Sequence, residues 1–242
     1  MNSKTSYIHA VIFDYDGTLV DSMKVWHDLQ HDMAWLANAK LSASELEYLN
    51  SCTLSQIVHF FRETYGIGKS EYSLFCDAQN QLLSYYLSSV PLKQGALALL
   101  ATLHDAGVPL AVVSAAPQFL LEQSMQHLDI RDYFDMVISA DDARASKRDP
   151  GFLREVVHVL NAEPSKTWCI DDSAYALKTM KSLGFKTIGI YDSDVAGTPE
   201  KLKSCSDFLI KELTEIDGQS LLSGARPVKD RTSRLIACPA MA

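Results

Sequence analysis

Six short runs rich in β-branched and aromatic residues frame the sequence: Ile8 to Phe13, Pro109 to Ser114, Met136 to Ser139, Thr167 to Ile170, Lys186 to Ile190 and Asp207 to Ile210. Each has the length and apolar continuity of a buried strand. Helical patterns lie between them, at Ala96 to Ala106, Pro117 to Leu128, about Gly151 to Leu160, and Ala174 to Leu183. Strands that alternate with helices return to a sheet in the same direction, which predicts an α/β fold built on a doubly wound parallel sheet.

The alternation is interrupted once, just after the first run. From Lys24 to about Leu87 three helical stripes follow one another: Trp26, Leu29, Met33 and Leu36; then Ile57, Phe60, Phe61 and Tyr65; then Leu74, Ala78, Leu82 and Tyr86. Pro91 and Gly95 punctuate its end. The expected division is an α/β core from residues 1–22 and 93–217, a small inserted helical domain at 23–92, and a C-terminal tail at 218–242. Within that tail, Arg226 to Ala242 has two prolines, four basic residues against one acidic, and no periodicity.

Composition narrows the function classes. The formal net charge of −8 argues against a nucleic-acid or anionic-membrane partner, since both call for a basic footprint. No apolar run reaches the roughly 18 residues of a membrane-spanning helix, and Met1 to Ser6 is polar, unlike a signal peptide. The five cysteines are scattered and form no CxxC pair, and the histidines show no HExxH spacing. A cytoplasmic protein is therefore expected, without a disulfide framework and without zinc.

In open α/β sheets ligands bind beyond the carboxyl ends of the strands. Four polar clusters fall there: Asp14 with Asp16, Ser114, Lys147, and Asp171 with Asp172. Any one alone reads as a helix cap or a turn residue. Several carboxylates converging on one edge repel one another unless a divalent cation neutralises them, and an all-oxygen donor set suits Mg²⁺. Such an edge supports phosphoryl transfer: one carboxylate attacks phosphorus, and a second, two residues on, trades protons with the leaving group and then with water. Residues i and i+2 at an extended strand end face the same way, and Gly17 permits a tight turn between them and the next element.

Phe13-Asp14-Tyr15-Asp16-Gly17-Thr18-Leu19-Val20-Asp21-Ser22 resembles the DxDGT(L/V)xDS signature of the haloacid dehalogenase superfamily. Ser114, Lys147 in Ser146-Lys147-Arg148-Asp149-Pro150, and Asp171-Asp172-Ser173 resemble its other three motifs, in order, over roughly residues 8 to 217. The resemblance implies a Rossmann-like core with a small α-helical cap, of the β-phosphoglucomutase and phosphoglycolate phosphatase branch. It implies Asp14 as nucleophile, Asp16 as general acid and base, and Ser114 and Lys147 as holders of the phosphoryl group. Asp14, Asp171, Asp172 and the backbone carbonyl of Asp16 would form the Mg²⁺ site.

An acid at residue 16 points to phosphate esters, because dehalogenases of the superfamily carry tyrosine there and phosphonate-cleaving relatives alanine. The expected activity is a Mg²⁺-dependent phosphatase acting on a small phosphorylated metabolite through an aspartyl-phosphate. A β-phosphoglucomutase-like mutase is the alternative, although Trp26 stands where such mutases carry a cap histidine, with His27 one place later. A non-catalytic binding protein of the same fold ranks behind both. Residues 23–92 hold four basic and seven acidic residues, which favours a neutral leaving group over a second phosphate. Arg148 replaces a common proline and is expected at a surface turn, Cys169 is expected in a buried strand, and the expected assembly is a monomer or homodimer.

Overall fold

The computed structural model describes residues 7–191 and 199–229. Six strands form one sheet: β1 (Ala10–Phe13), β2 (Leu110–Ser114), β3 (Met136–Ser139), β4 (Thr167–Asp171), β5 (Lys186–Ile190) and β6 (Phe208–Ile210). All pairs are parallel and the order is β3-β2-β1-β4-β5-β6. The doubly wound parallel sheet read from the sequence is therefore observed, with β1 at its centre.

Alternation along each strand sends side chains to two layers. Val11 and Phe13 of β1, Leu110 and Val112 of β2, and Trp168 and Ile170 of β4 enter one apolar cluster. Ile12, Ala111, Val113 and Cys169 enter the other, against Leu153, Val156, Ala176 and Met180. Those last four belong to α7 (Pro150–Val159) and α8 (Ala174–Ser182), while α5 (Ala96–Asp105) and α6 (Gln118–His127) cover the opposite face. Cys169 is fully buried, and burial pushes its thiol well above the ordinary range, so it is a packing residue.

Between β1 and α5 lie four helices: α1 (Met23–Leu36), α2 (Ala43–Leu49), α3 (Leu54–Tyr65) and α4 (Glu71–Tyr86). Local chemistry sets their ends. Ser42 with Glu45, and Thr53 with Gln56, form reciprocal capping boxes at the starts of α2 and α3. Leu74, Ala78, Leu82 and Tyr86 are all buried, as their spacing predicts. Each large apolar side chain so buried contributes roughly 1.5–3 kcal/mol. Leu36 departs from its predicted stripe and is 61% exposed at the end of α1.

The chain leaves the sheet and returns to it at one place. Val20 and Leu92 form an antiparallel bridge. Asp21 N donates to Pro91 O at 2.9 Å, and Lys93 N donates to Leu19 O at 2.8 Å.

The C-terminal region differs from its expected tail. Within the expected tail, Gly218–Ser223 form α10 on the α5 side of the sheet, with Leu221 fully buried, while α9 (Pro199–Cys205) lies before it in the core. Ile216 and Val228 form an antiparallel bridge. Asp217 caps α10 by accepting from Gln219 N. Six residues are too few to show a helical period, so the sequence pattern missed the element. Residues 230–242, the rest of the expected tail, lie outside the described residues, as do residues 1–6. No helix among the described residues is long and apolar enough to cross a membrane.

Candidate active site

Three central strands deliver the site. Asp14 follows β1, Ser114 ends β2, and Asp171 ends β4 with Asp172 after it. Lys147 comes from the turn between β3 and α7. Asp14 N donates to Ile170 O at 2.9 Å, which extends the β1–β4 ladder one residue and holds the two acidic ends side by side. All six predicted residues line or brace one cavity of about 70 Å³ at the carboxyl edge of the sheet. Met23, Trp26, Gln30, Leu49 and Ile57 form its other wall, so the inserted helices close over the strand ends.

Lys147 is the electrostatic hub. Its ammonium lies 2.9 Å from Asp14 Oδ1 and 2.8 Å from Asp171 Oδ2, and it is almost fully buried. Burial alone would lower its pKa, but Asp14 and Asp171 outweigh that and hold it well above the ordinary range. Ser173 donates to Asp171 Oδ1 through both its backbone N–H, at 2.8 Å, and its hydroxyl. Both oxygens of Asp171 are thus engaged by protein groups.

Oxygen ligands of Asp14, Asp171 and Asp172 lie within 4.8 Å of one another, and all three residues are buried. Burial raises the Asp14 carboxyl from 3.8 to about 7 against the opposing pull of Lys147. Asp172 is pushed well above its ordinary value, by burial first and then by Asp14 and Asp171. One lysine does not balance so many acids. Asp172 Oδ2 is buried with no hydrogen-bond partner. Gly17, at φ +75°, leaves room for it, since a Cβ there would lie 2.9 Å from the Asp172 carboxyl carbon and overlap its oxygen. A crowded carboxylate cluster with an orphaned oxygen fits a hard divalent cation.

The Asp16 carboxylate stands apart from that cluster. Its Oδ1 accepts from Ser22 Oγ at 2.6 Å and from the Tyr86 hydroxyl, and its Oδ2 faces Ser114 Oγ at 3.4 Å. Its carboxyl pKa is raised by burial, which outweighs the hydrogen bonds from Ser22, Tyr86 and Trp26. Trp26, expected as packing, is buried and donates through Nε1 to Tyr86 Oη at 2.9 Å. Arg148 is exposed at its turn, as expected, yet its guanidinium lies 4.3 Å from the ring centre of Tyr175, a residue of the cavity wall.

Sequence reasoning missed Tyr86, Gln30 and Tyr175. Tyr86 belonged to a stripe read as helix packing, and no local signal ties it to a carboxylate 70 positions earlier. Gln30 is 2% exposed, bonds Asn50 through its side-chain nitrogen at 3.3 Å, and presents an amide oxygen with no partner.

The family described as haloacid dehalogenase-like hydrolase matches residues 11–190. The chain belongs to that family and is a hydrolase. Among its relatives, phosphoglycolate phosphatase of Neisseria meningitidis is 26% identical over 210 residues, covering 78% of this chain and 83% of that protein. Hexitol phosphatase B of Escherichia coli K12 is 24% identical over 218 residues, covering 89% and 97%. Among solved structures, CbbY from Rhodobacter sphaeroides in complex with phosphate superposes with a TM-score of 0.74 at 18% identity, covering 89% of this chain and 99% of that one. That last likeness is one of fold.

Proposed function

We propose that the protein is a Mg²⁺-dependent phosphatase that hydrolyses a small phosphorylated metabolite through an aspartyl-phosphate. The observation that carries this reading is the placement of Asp14: a buried carboxylate facing the cavity, with Lys147 2.9 Å from one oxygen and Asp172 beside it. Relatives named as phosphatases support the same class.

In the proposed reaction Asp14 attacks phosphorus, and the bond from phosphorus to the leaving oxygen breaks. Asp16 gives that oxygen its proton. A water then attacks the phosphorus of the aspartyl-phosphate while Asp16 takes the water's proton, and inorganic phosphate is released with Asp14 restored. Ser114 and Lys147 hold the non-bridging oxygens as charge moves onto them. Asp14, Asp171, Asp172 and the Asp16 backbone carbonyl are the proposed oxygen donors for Mg²⁺. When bound, the cation offsets the charge of the phosphoryl oxygens and of the carboxylates.

Residues 23–92 act in this reading as a cap that supplies the leaving-group wall. That wall is apolar at Trp26, Leu49 and Ile57 and carries the amide of Gln30. Lys147 is the one cation among the described residues lining the cavity. A neutral, hydroxyl-bearing leaving group such as a sugar or polyol matches it, since a substrate hydroxyl can satisfy the orphaned Gln30 oxygen.

The test is phosphate release from a panel of phosphometabolites that includes β-glucose 1-phosphate, with Mg²⁺ present. Asp14→Asn is expected to reduce release to background. An Asp14→Asn protein that hydrolyses at the wild-type rate overturns the mechanism. Isomerisation of β-glucose 1-phosphate to the 6-phosphate without phosphate release selects the mutase instead.

A further inference from the structure

The carboxyl of Asp16 has two oxygens, and the protein treats them unequally. Oδ1 accepts from Ser22 Oγ at 2.6 Å and from the hydroxyl of Tyr86. Oδ2 accepts only a long hydrogen bond, from Ser114 Oγ at 3.4 Å, at the cavity. Trp26 bears on both Tyr86 and Asp16, since its side chain also hydrogen-bonds the Asp16 carboxyl. Trp26 Nε1 is 2.9 Å from Tyr86 Oη. An indole N–H is donor-only, so Tyr86 Oη must accept from it. The remaining direction for the Tyr86 proton is toward Asp16. The ring cannot easily turn away, because Tyr86 is 1% exposed and stacks on Tyr15, with ring centres 6.4 Å apart and planes 13° from parallel. Tyr15 is pinned in turn by the hydrogen bond of its hydroxyl to Ser124 Oγ at 2.6 Å.

We propose that Tyr86, locked by Trp26, is a positioning residue that reserves Asp16 Oδ1 as an acceptor and leaves Oδ2 as the oxygen that delivers and collects the proton. This rests on the acid–base reading of Asp16 given above. Oδ1, already accepting two hydrogens, has poor room for a third. The acid proton therefore sits on Oδ2, the oxygen that faces the cavity. During ester cleavage it passes from Oδ2 to the departing alkoxide, and during hydrolysis of the aspartyl-phosphate it returns to Oδ2 from water. Tyr86 keeps its own proton throughout and touches neither substrate nor phosphorus. Without its hydroxyl only Ser22 Oγ holds Oδ1, and the distinction between the two oxygens weakens.

Leaving-group dependence isolates this role from a structural one. An alkyl phosphate needs a proton on its departing oxygen, whereas 4-nitrophenyl phosphate departs as a stable anion. kcat/KM reports on the steps through that departure. For Tyr86→Phe, which keeps the ring and its stacking, kcat/KM for the best alkyl ester of the panel is expected to fall at least about tenfold, a fraction of what acid catalysis supplies. For 4-nitrophenyl phosphate the same variant should stay within about twofold. Ser22→Ala, which removes the other donor to Oδ1, is expected to show the same selective loss at smaller size, and it serves as the reading if Tyr86→Phe does not fold by thermal melting. Asp16→Asn is the control. If Asp16→Asn does not discriminate between the two esters, the acid–base reading itself fails. If it does, while folded Tyr86→Phe or Ser22→Ala loses both esters equally or neither, the positioning role is overturned.

Discussion

Lys147 Nζ stands 2.9 Å from Asp14 Oδ1, with the two side chains 3% and 7% exposed. Removing one partner of a buried ion pair strands the other charge, at a cost of about 3–5 kcal/mol. Lys147→Met is therefore expected to lose that much stability at neutral pH in a chelating buffer, read by urea denaturation. It should also lose turnover, since the phosphoryl oxygens lose their fixed cation. Adding Mg²⁺ should recover more stability in this variant than in the wild type, because ligand binding to the folded state stabilises by mass action. A wild-type midpoint in the chelator would show that the pair is not buried in solution.

The metal-free protein should have an unusual pH dependence. The Asp14 carboxyl is raised from 3.8 to about 7 by burial, so between those values the folded chain holds a proton that the unfolded chain has released. Stability from this group is then full below about pH 4 and is lost as pH rises toward 7, the reverse of an ordinary paired carboxylate. Asp172, raised for the same first reason, acts in the same direction. Melting temperatures in a chelator should decline between pH 5 and pH 7.5, and Asp14→Asn should flatten the decline. Mg²⁺ favours the ionised carboxylates and should oppose it. A chelated protein whose melting temperature rises over that range contradicts the assignment.

Gly17→Ala tests the fit of Asp172. The residue's φ of +75° already disfavours a side chain, by about 1–2 kcal/mol. The added methyl also meets the Asp172 carboxyl and lies 3.1 Å from Met23 Cγ. The expected result is a folded but weakened protein whose activity requires higher Mg²⁺, measured by titrating the cation against turnover and against melting temperature. An unchanged Mg²⁺ requirement would remove Asp172 from the metal site.

The legible part of this molecule was the part governed by local chemistry. β1, β2 and β4 are buried on both faces, so Ala10–Phe13, Leu110–Ser114 and Thr167–Asp171 read as continuous apolar runs. The residues that end such runs must reach the ligand edge, which is why Asp14, Ser114, Asp171 and Asp172 could be placed without coordinates. Tyr86 could not. Its spacing said that it faces inward, and it does, but periodicity does not reveal what waits on the other side. The same is true of Gln30, whose amide nitrogen is paired with Asn50, the residue just after α2. α10 was missed because its turn is short and its stability comes from Leu221 meeting the core. Contacts made by docking, rather than by period or turn chemistry, were the ones out of reach.

The meeting of Val20 and Leu92 separates two kinds of heredity within one chain. A segment whose ends lie a strand's width apart can be lengthened, shortened or exchanged at little entropic cost, since doubling a loop adds only about 0.6 kcal/mol. On the proposed reading, the strand ends assigned the chemistry can thus be kept while the surface assigned the choice of ester is rewritten. Tyr86 sets a condition on that freedom. It reaches back from the inserted segment to Asp16, so on the proposed positioning role a replacement would need a hydroxyl of its own at the same oxygen. Substrate range can drift in such a lineage, but only along paths that preserve one handshake.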